Sequence, residues 1–422
     1  MQVKSVLLTG AALLAATSGA LASGFQINLA AQKNIGMGHT GTGLYLDAAS
    51  QFFNPGALVF APGGFLIGGG AAFPRIAFRN EFGTAEQRTL QNKAVYPFSA
   101  YASFGPKDGK FKLGLAAYTP FGSELHYAQG WEGRYALTDI TLQSVFVQGT
   151  ASVAITPQLS VGAGLVMLAY GNVDLQRDVP IQGQGAANPL HAQLSGTADR
   201  KFGYNLGVMF KPSDKLSVGI SYRSAIDATV SGGDVTLTNV PTSAAANFTA
   251  TKFTATLPLP STASIGIGVR PTDKLTLALD ANLVSWSVYQ SLDLTYSGGV
   301  LGGRPSSTSK RQYTDALAFR AGAQYKVTDK FTVRGGAFYD QACVPDGFIT
   351  PETPDADRYG LTTGFSYAIG QRFGVDGSFL FENFMQRSQS QADLVTNGTT
   401  DRVAGTYKTN VLVPGIGVYV NF

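Results

Sequence analysis

From about Phe65 to the last residue, apolar side chains return at every second position. At the C-terminus Leu412, Pro414, Ile416, Val418, Val420 and Phe422 share one parity, and Val411, Val413, Gly415, Gly417, Tyr419 and Asn421 the other. Strand side chains alternate between two faces, so one face here is purely apolar and the other small or polar. The same alternation sets Leu275, Leu277, Leu279 and Ala281 against Lys274, Thr276, Ala278, Asp280 and Asn282. It sets Leu216, Val218, Ile220 and Tyr222 against Ser217, Gly219, Ser221 and Arg223, and Phe331, Val333, Gly335, Ala337 and Tyr339 against Thr332, Arg334, Gly336, Phe338 and Asp340. These segments are about ten residues long, the length of a strand that crosses a bilayer.

Turn chemistry divides the strands. Six short connections carry Pro, Asp or Gly: GPKDGK around Pro106, TPQ around Pro157, KPSDK around Pro212, RPTDK around Pro271, VTDK around Asp329 and IGQR around Gly370. Between them lie longer polar segments centred near 85, 130, 185, 240, 303, 350 and 395. Six short turns and seven long loops join about 14 strands, an even number that leaves both ends on the short-turn side. A soluble sandwich would turn its apolar faces inward and leave no place for so many polar ones. A closed barrel in lipid turns the apolar face outward, lines its lumen with the polar one and satisfies every backbone hydrogen bond. The sequence therefore predicts an all-β transmembrane fold, a 14-stranded antiparallel outer-membrane barrel over 63–422. Segment 23–62 is Gly-rich and shows little strand periodicity.

Composition agrees. Only 14% of the 422 residues are charged, 11% are aromatic and 51 are Gly, which suits many strands on tight turns with aromatic girdles. A net charge of +4 without clustered Lys and Arg excludes a nucleic-acid partner. Residues 1–22 read as a cleaved signal peptide. Lys4 lies ahead of the apolar run Val6 to Ala16, Ala20-Leu21-Ala22 is the cleavage signal, and export to the outer membrane follows. The apolar run is too short to span a bilayer as a helix. The lone Cys343 can form no internal disulfide.

Chemistry-bearing motifs are few. Gly36-Met37-Gly38-His39-Thr40-Gly41 matches GxGxxG, but the βαβ unit that gives that fingerprint its meaning is absent. His39, His126 and His191 show no metal-ligand spacing. No enzymatic role, cofactor or metal is expected. Arg223, Asp280, Arg334, Asp340, Asp376 and Glu382 fall on the lumen face. They either form salt-bridge networks that stiffen the wall, or one Arg meets an anionic head group. Phe121, Leu125, Tyr127, Trp131, Tyr135, Leu137, Phe348 and Ile349 fall in long loops. They either capture apolar ligands or pack the loops over the barrel mouth.

Further residues carry a resemblance. The segment Ser23-Gly24-Phe25-Gln26, the run Asp47-Ala48-Ala49-Ser50 with Phe53-Asn54-Pro55-Gly56-Ala57, TPFGSELHY with WEGRY at 119–135, and LSVGAGLV at 159–166 occur in order. So do LPLPSTASIGIGVRPTDKLTLALD with WS at 257–287, and the run from Arg334 through AFYD to Pro354-Asp355-Ala356-Asp357-Arg358-Tyr359. Over essentially the whole mature chain the sequence resembles the long-chain fatty-acid transporter (FadL) family, some of whose members import toluene, xylenes or other neutral hydrocarbons. The resemblance implies a monomeric barrel plugged by an N-terminal hatch, here 23–62. It implies passive import of hydrophobic small molecules, long-chain fatty acids foremost, by capture at the outer loops, binding in the barrel and lateral release into membrane lipid. By the same resemblance Phe25, Phe121, Leu125, Trp131, Arg177 and Arg320 are expected at the substrate. Asn54 and Pro55 are expected as the hatch hinge, followed by Gly56 where the family usually has Ala. Gly114 and Pro120 are the expected causes of a kink in the third strand. A general porin, a barrel phospholipase and a surface adhesin are the rival functions.

Overall fold

In the computed structural model, the described residues are 24–422 except 28, 84–87, 90–93, 107–108, 182–187, 301–302 and 398–400. The expected signal peptide and the start at Ser23 lie outside the described residues. Fourteen spans form the wall. They are β1 (Gly64–Gly70 and Phe73–Asn80), β2 (Arg88–Thr89 and Phe98–Phe104), β3 (Phe111–Tyr118 and Gly122–His126), β4 (Asp139–Ala154) and β5 (Leu159–Val179). Next come β6 (Leu190–Thr197 and Lys201–Ser213), β7 (Leu216–Arg223 and Ile226–Thr238), β8 (Lys252–Leu259 and Thr262–Val269), β9 (Leu275–Val284 and Ser291–Val300) and β10 (Arg304–Lys310 and Ala316–Lys326). The last are β11 (Phe331–Asp340), β12 (Arg358–Ile369), β13 (Phe373–Phe384 and Arg387–Gln389) and β14 (Gly405–Asn421). Each pairs antiparallel with the next, and β1 pairs with β14 from Gly64↔Asn421 to Gly70↔Gly415, which closes the barrel. The six expected short turns all join strands at one end, where both chain ends of the barrel also lie. The expected long loop near 303 is instead a tight hairpin. β9 and β10 run on as strands to Val300 and from Arg304, paired at Val300↔Arg304.

Closure of the lower barrel, where every span pairs on both sides, lets the outer face be apolar. Leu165, Ile220, Leu279, Leu361 and Ile416 are each more than half exposed, in the parity the sequence assigns to lipid. No helix among the described residues is long and apolar enough to cross a membrane.

Towards the loop end, β5 to β9 reverse their polarity. In β7, Leu216, Ile220 and Tyr222 point outward, whereas Ile226 and Val230 are buried inside. In β6, Phe202, Tyr204 and Leu206 face out and Leu190 and Leu194 face in; in β8, Ile265 and Ile267 face out and Phe253 and Leu259 in. The switch is made by strand breaks at 198–200, 224–225 and 260–261. In β5 it is made by a register shift opposite Val145/Phe146, where Tyr170 and Leu168 pair and Ala169 is left over. Slipping one residue turns every following side chain to the other face. Beyond the switch the outer surface carries exposed Asp227, Ser231, Asp234, Thr254, Asp293 and Thr295. The lower barrel is built for lipid outside; the upper extension is built for water outside and an apolar interior.

Residues 29–62 lie inside the lower barrel. Short helices at Gln32–Ile35 and Ser50–Phe53 and a 3-10 turn at Pro55–Phe60 fold the segment, and most of its residues are buried. The wall meets it as bare backbone. A Cβ on Gly56 would come 2.8 Å from the Gly207 carbonyl oxygen, and one on Gly43 would come 2.7 Å from the Gly266 carbonyl carbon. Gly162, Gly219, Gly322 and Gly336 lie just as close to the segment from the wall side. Much of the glycine therefore serves this close approach rather than turns. Polar pins fix the segment. Asp280 accepts from the Gly41 and Thr42 amides at 2.8 Å each, Ser217 donates to Gly43 O at 2.7 Å, and Ser160 donates to Gly56 O at 2.6 Å.

Candidate functional site

The reversed-polarity extension encloses an apolar cavity of about 110 Å³, walled by residues such as Leu175, Leu194, Val230, Phe253 and Leu292 and floored by Phe25, Phe121 and Tyr289. An apolar cavity of about 150 Å³ stays dry and accepts benzene, so this space suits one ring or a stretch of alkyl chain. Burial here stabilises a ligand by about 0.8 kcal/mol per CH₂. Among the described residues the one charged side chain of the lining is Glu352.

A second cavity, about 190 Å³, lies beside the first. It shares Phe25 and Glu352 with it and is bounded by Gly24–Ile27, by Ala72, Pro74 and Pro97, and by Gly122–Leu125 of β3. It adjoins a defect in the wall. β3 is interrupted between Tyr118 and Gly122, where Pro120 has no N–H to offer. Above the break Gly122–His126 pairs with β4, and among the described residues no wall strand pairs with its other edge. The N-terminal segment takes that place at the base: the Ile27 amide donates to Pro120 O at 2.8 Å, and the Gly122 amide donates to Phe25 O at 3.1 Å.

Glu352 is set rigidly. Its carboxylate meets Arg311 at 2.6 Å, and the same guanidinium lies 3.5 Å from Asp401, so three outer segments converge on one cation. The Tyr127 hydroxyl donates to Pro351 O at 2.8 Å, and Asp355 accepts from the Cys343 amide at 2.7 Å. Burial pushes the Glu352 carboxyl up and the Arg311 charge opposes it. Burial alone would lower Arg311, but Glu352 and its other neighbours outweigh it and hold the guanidinium firmly protonated. A third cavity, about 70 Å³, lies in the lumen against the N-terminal segment, lined by His39, Phe52, Phe53, Arg223, Asp280 and Arg320 among others.

The expected substrate residues are scattered over these features. Phe25 and Phe121 floor the apolar cavity and Leu125 lines the second. Trp131 lines none of the three. It is fully buried, stacked on Tyr127 at 3.9 Å and edge-on to Phe78, and it donates from Nε1 to Leu137 O at 2.7 Å. It packs the loop rather than presenting a capture surface. Arg177 is half-buried opposite Ala192 and also lines none of the three. Arg320 lines the lumen cavity, but its guanidinium is already paired with Asp340 at 3.1 Å. Of the six lumen-face residues, Asp340 and Glu382 pair with Arg358, Asp376 lies 3.9 Å from Lys33 of the N-terminal segment, and Asp280 holds that segment's amides. Arg334 donates to Ser366 at 2.7 Å, and Arg223 bonds the Tyr118 hydroxyl and Phe52 O.

Asn54, Pro55 and Gly56 form the contact with β6: Asn54 Nδ2 donates to Val208 O at 3.0 Å, and the Gly207 backbone lies against Pro55. Gly114 does not break β3. It pairs in register with Ser103 and Thr150, and it lacks a side chain because Gln51 and Leu58 of the N-terminal segment press on it. The interruption falls at Pro120 alone. Glu352, which with Phe25 is common to both upper cavities, carried no periodic or motif signal, since only the folded loop brings it there.

Comparison with known proteins gives this architecture its relatives. The profile of the family described as outer membrane protein transport protein (OMPP1/FadL/TodX) matches residues 13–422. The 47 kDa outer membrane protein of Pasteurella multocida is 25% identical, covering 88% of this chain and 90% of that protein. The long-chain fatty acid transport protein of Salmonella typhi is 23% identical over 88% and 90%. Among solved structures, a Pseudomonas aeruginosa FadL homologue superposes with a TM-score of 0.81 at 19% identity, covering 95% of this chain and all of that one. The Pseudomonas putida toluene transporter TodX superposes with a TM-score of 0.72 at 15% identity, with 95% and 100% coverage. With a match over nearly its whole length and the barrel itself in hand, the chain belongs to the OMPP1/FadL/TodX family, outer-membrane channels that transport hydrophobic compounds and are not enzymes.

Proposed function

We propose that this protein imports hydrophobic small molecules passively by a lateral route. Ligand enters the apolar cavity of the outer extension, passes between Phe25 and Glu352 into the second cavity, and leaves through the interrupted edge of β3 into outer-leaflet lipid. The observation that carries this reading is the pair of adjoining cavities that share those two residues, the second of which abuts the break at Pro120. Sideways exit spares an apolar solute from release into water. The segment 23–62 acts as a hatch that denies water the straight path through the lumen, with Asn54, Pro55 and Gly56 as its hinge. Long-chain fatty acids and neutral hydrocarbons both suit an apolar cavity, and the names of the relatives include transporters of each.

The test is uptake of labelled oleate, and separately of labelled toluene, by cells lacking their own transporter and carrying this protein or its Leu194→Asp variant at matched surface levels. A carboxylate placed in the cavity lining is expected to cut uptake at least about tenfold, because an unpaired charge in an apolar site costs several kcal/mol. No uptake of either compound by a properly inserted wild-type barrel sinks the importer reading. Undiminished uptake by the variant sinks this cavity as the route.

A further inference from the structure

The proposed route is lined by acid. The apolar cavity offers Glu352 as its only charged residue among those described, and the second cavity is lined by Glu124, Glu352, Asp355 and Glu382 against one guanidinium, Arg358. That guanidinium is already spent, at 3.2 Å from Asp340 and 3.0 Å from Glu382. Arg311, the cation paired with the lining residue Glu352, is shielded from the apolar cavity. It is 2% exposed, lines neither cavity, and presents to the cavity side its carboxylate partner Glu352. Arg177, whose charge Glu352 also feels, lines neither cavity. Arg223 and Arg320 line the lumen cavity, which has no lining residue in common with the apolar one.

We infer that Glu352 is a specificity-determining residue that makes this channel accept uncharged hydrophobic ligands and reject carboxylates. The inference rests on the reading of the apolar cavity as the ligand site. An anionic head group entering that cavity gives up its water, finds no free cation and faces a fixed carboxylate. To reach Arg311 it must displace Glu352 from a short ion pair whose loop is pinned on both sides. A neutral ligand of the same length meets none of these costs. Because Glu352 belongs to both cavities, the filter acts at the passage between them as well as at entry.

Two ligands that differ only in charge isolate the effect. Binding of decan-1-ol and of decanoate to the purified full chain in neutral detergent would be measured by calorimetry at pH 8, where the acid is ionised. Decanoate is expected to bind at least about tenfold more weakly than decan-1-ol, because its carboxylate gives up water in an apolar cavity whose described lining offers it no cation. In Glu352→Gln the gap should close to within about threefold, since Arg311 loses its closer carboxylate partner and its charge can then attract that of the ligand. Asn172→Lys adds a cation to the same lining without touching the Arg311 pair, and should favour decanoate over decan-1-ol. It decides the matter if Glu352→Gln fails to yield the heat-modifiable folded barrel. Wild-type binding of decanoate as tight as that of decan-1-ol, or a tenfold gap unchanged in both variants, overturns the filter while leaving the cavity reading intact. Binding of neither compound overturns the cavity reading, and the filter with it.

Discussion

Asn54 offers the sharpest test of how the N-terminal segment is held. Its side chain is fully buried and makes three hydrogen bonds with oxygen or nitrogen partners: Nδ2 donates to Thr42 O and to Val208 O, each at 3.0 Å, and Oδ1 accepts from the Gly56 amide at 2.9 Å, while Nδ2 also lies 4.0 Å from Met209 Sδ. One bond ties the segment to β6; the other two hold its own fold. Asn54→Ala removes all three and leaves two carbonyls and an amide buried without this partner. At about 1 kcal/mol net per bond the loss is about 3 kcal/mol, and at 1.4 kcal/mol per decade the opening equilibrium of the segment rises about a hundredfold. Hydrogen exchange of the folded protein in detergent reads this directly, because exchange protection follows the free energy of local opening. Protection of amides within 35–57 should fall by about two orders of magnitude, with strands β6 to β12 unchanged. Protection of 35–57 that stays within about threefold of wild type refutes a holding role for the Asn54 side chain. An equal loss across the barrel refutes the claim that the segment opens apart from the wall.

Two further outcomes follow from the wall itself. In Gly219→Val the new side chain runs into the Thr42 carbonyl and the Asn54 amide, so the segment must leave its seat. Single-channel conductance in planar bilayers should rise, whereas Gly149→Val, at a glycine with nothing within 4 Å, should conduct as wild type. Equal conductance of the two variants would show that the segment is not seated by that contact. Leu279, 62% exposed on the outer face of β9, should tolerate Arg poorly. Leu279→Arg is expected to cost about 2–4 kcal/mol if the residue lies near the bilayer midplane, read as a shift of the urea midpoint of the folded band on gels; no shift would place that strand face outside the hydrocarbon.

The barrel was legible because lipid and lumen impose opposite chemistry on alternate residues, and Leu275 to Ala281 or Leu412 to Phe422 carry that contrast without interruption. The six tight turns carry the residue types that their backbone needs. Of the reversed strands β5 to β9, the reversal was not legible in β5 to β8, where strand breaks or a register shift set the face. In β6 the even positions are apolar or Gly from Leu190 to Phe210 except Arg200, and in β8 the odd ones are apolar from Phe253 to Val269 except Ser261, so the parity is the same on both sides of each break. The alternation runs straight through the breaks, so a period of two sees one long strand. Only the strand breaks and the leftover Ala169 decide which face those residues take. For the same reason the hairpin of β9 and β10 passed for a loop, since its outer residues are the polar Asp293, Thr295, Ser306 and Thr308. Phe25 and Phe121 were found through motif resemblance. For Trp131 the sequence left capture and loop packing both open, because an aromatic in a polar loop signals burial without saying against what; its stacking on Tyr127 places it in the loop's own packing. Glu352 had no signal, since one carboxylate in an acidic, proline-rich loop is ordinary until Arg311 and two cavities surround it.

The glycine contacts between the wall and the N-terminal segment bear on how that segment could move. Ordinary cores interlock side chains like teeth, and extracting an element means breaking many small contacts at once. Here Gly207, Gly219, Gly266, Gly322 and Gly336 present smooth backbone to a segment that itself brings Gly36, Gly38, Gly43 and Gly56 to the contact. Such a junction behaves as a bearing. At these glycines few side chains interlock, and the segment's position is set by polar latches together with the packing of Ile35, Met37 and Leu44 against wall residues such as Phe338 and Ala278. Such a junction would let the segment shift while the barrel keeps its form, which is what the proposed hatch role requires.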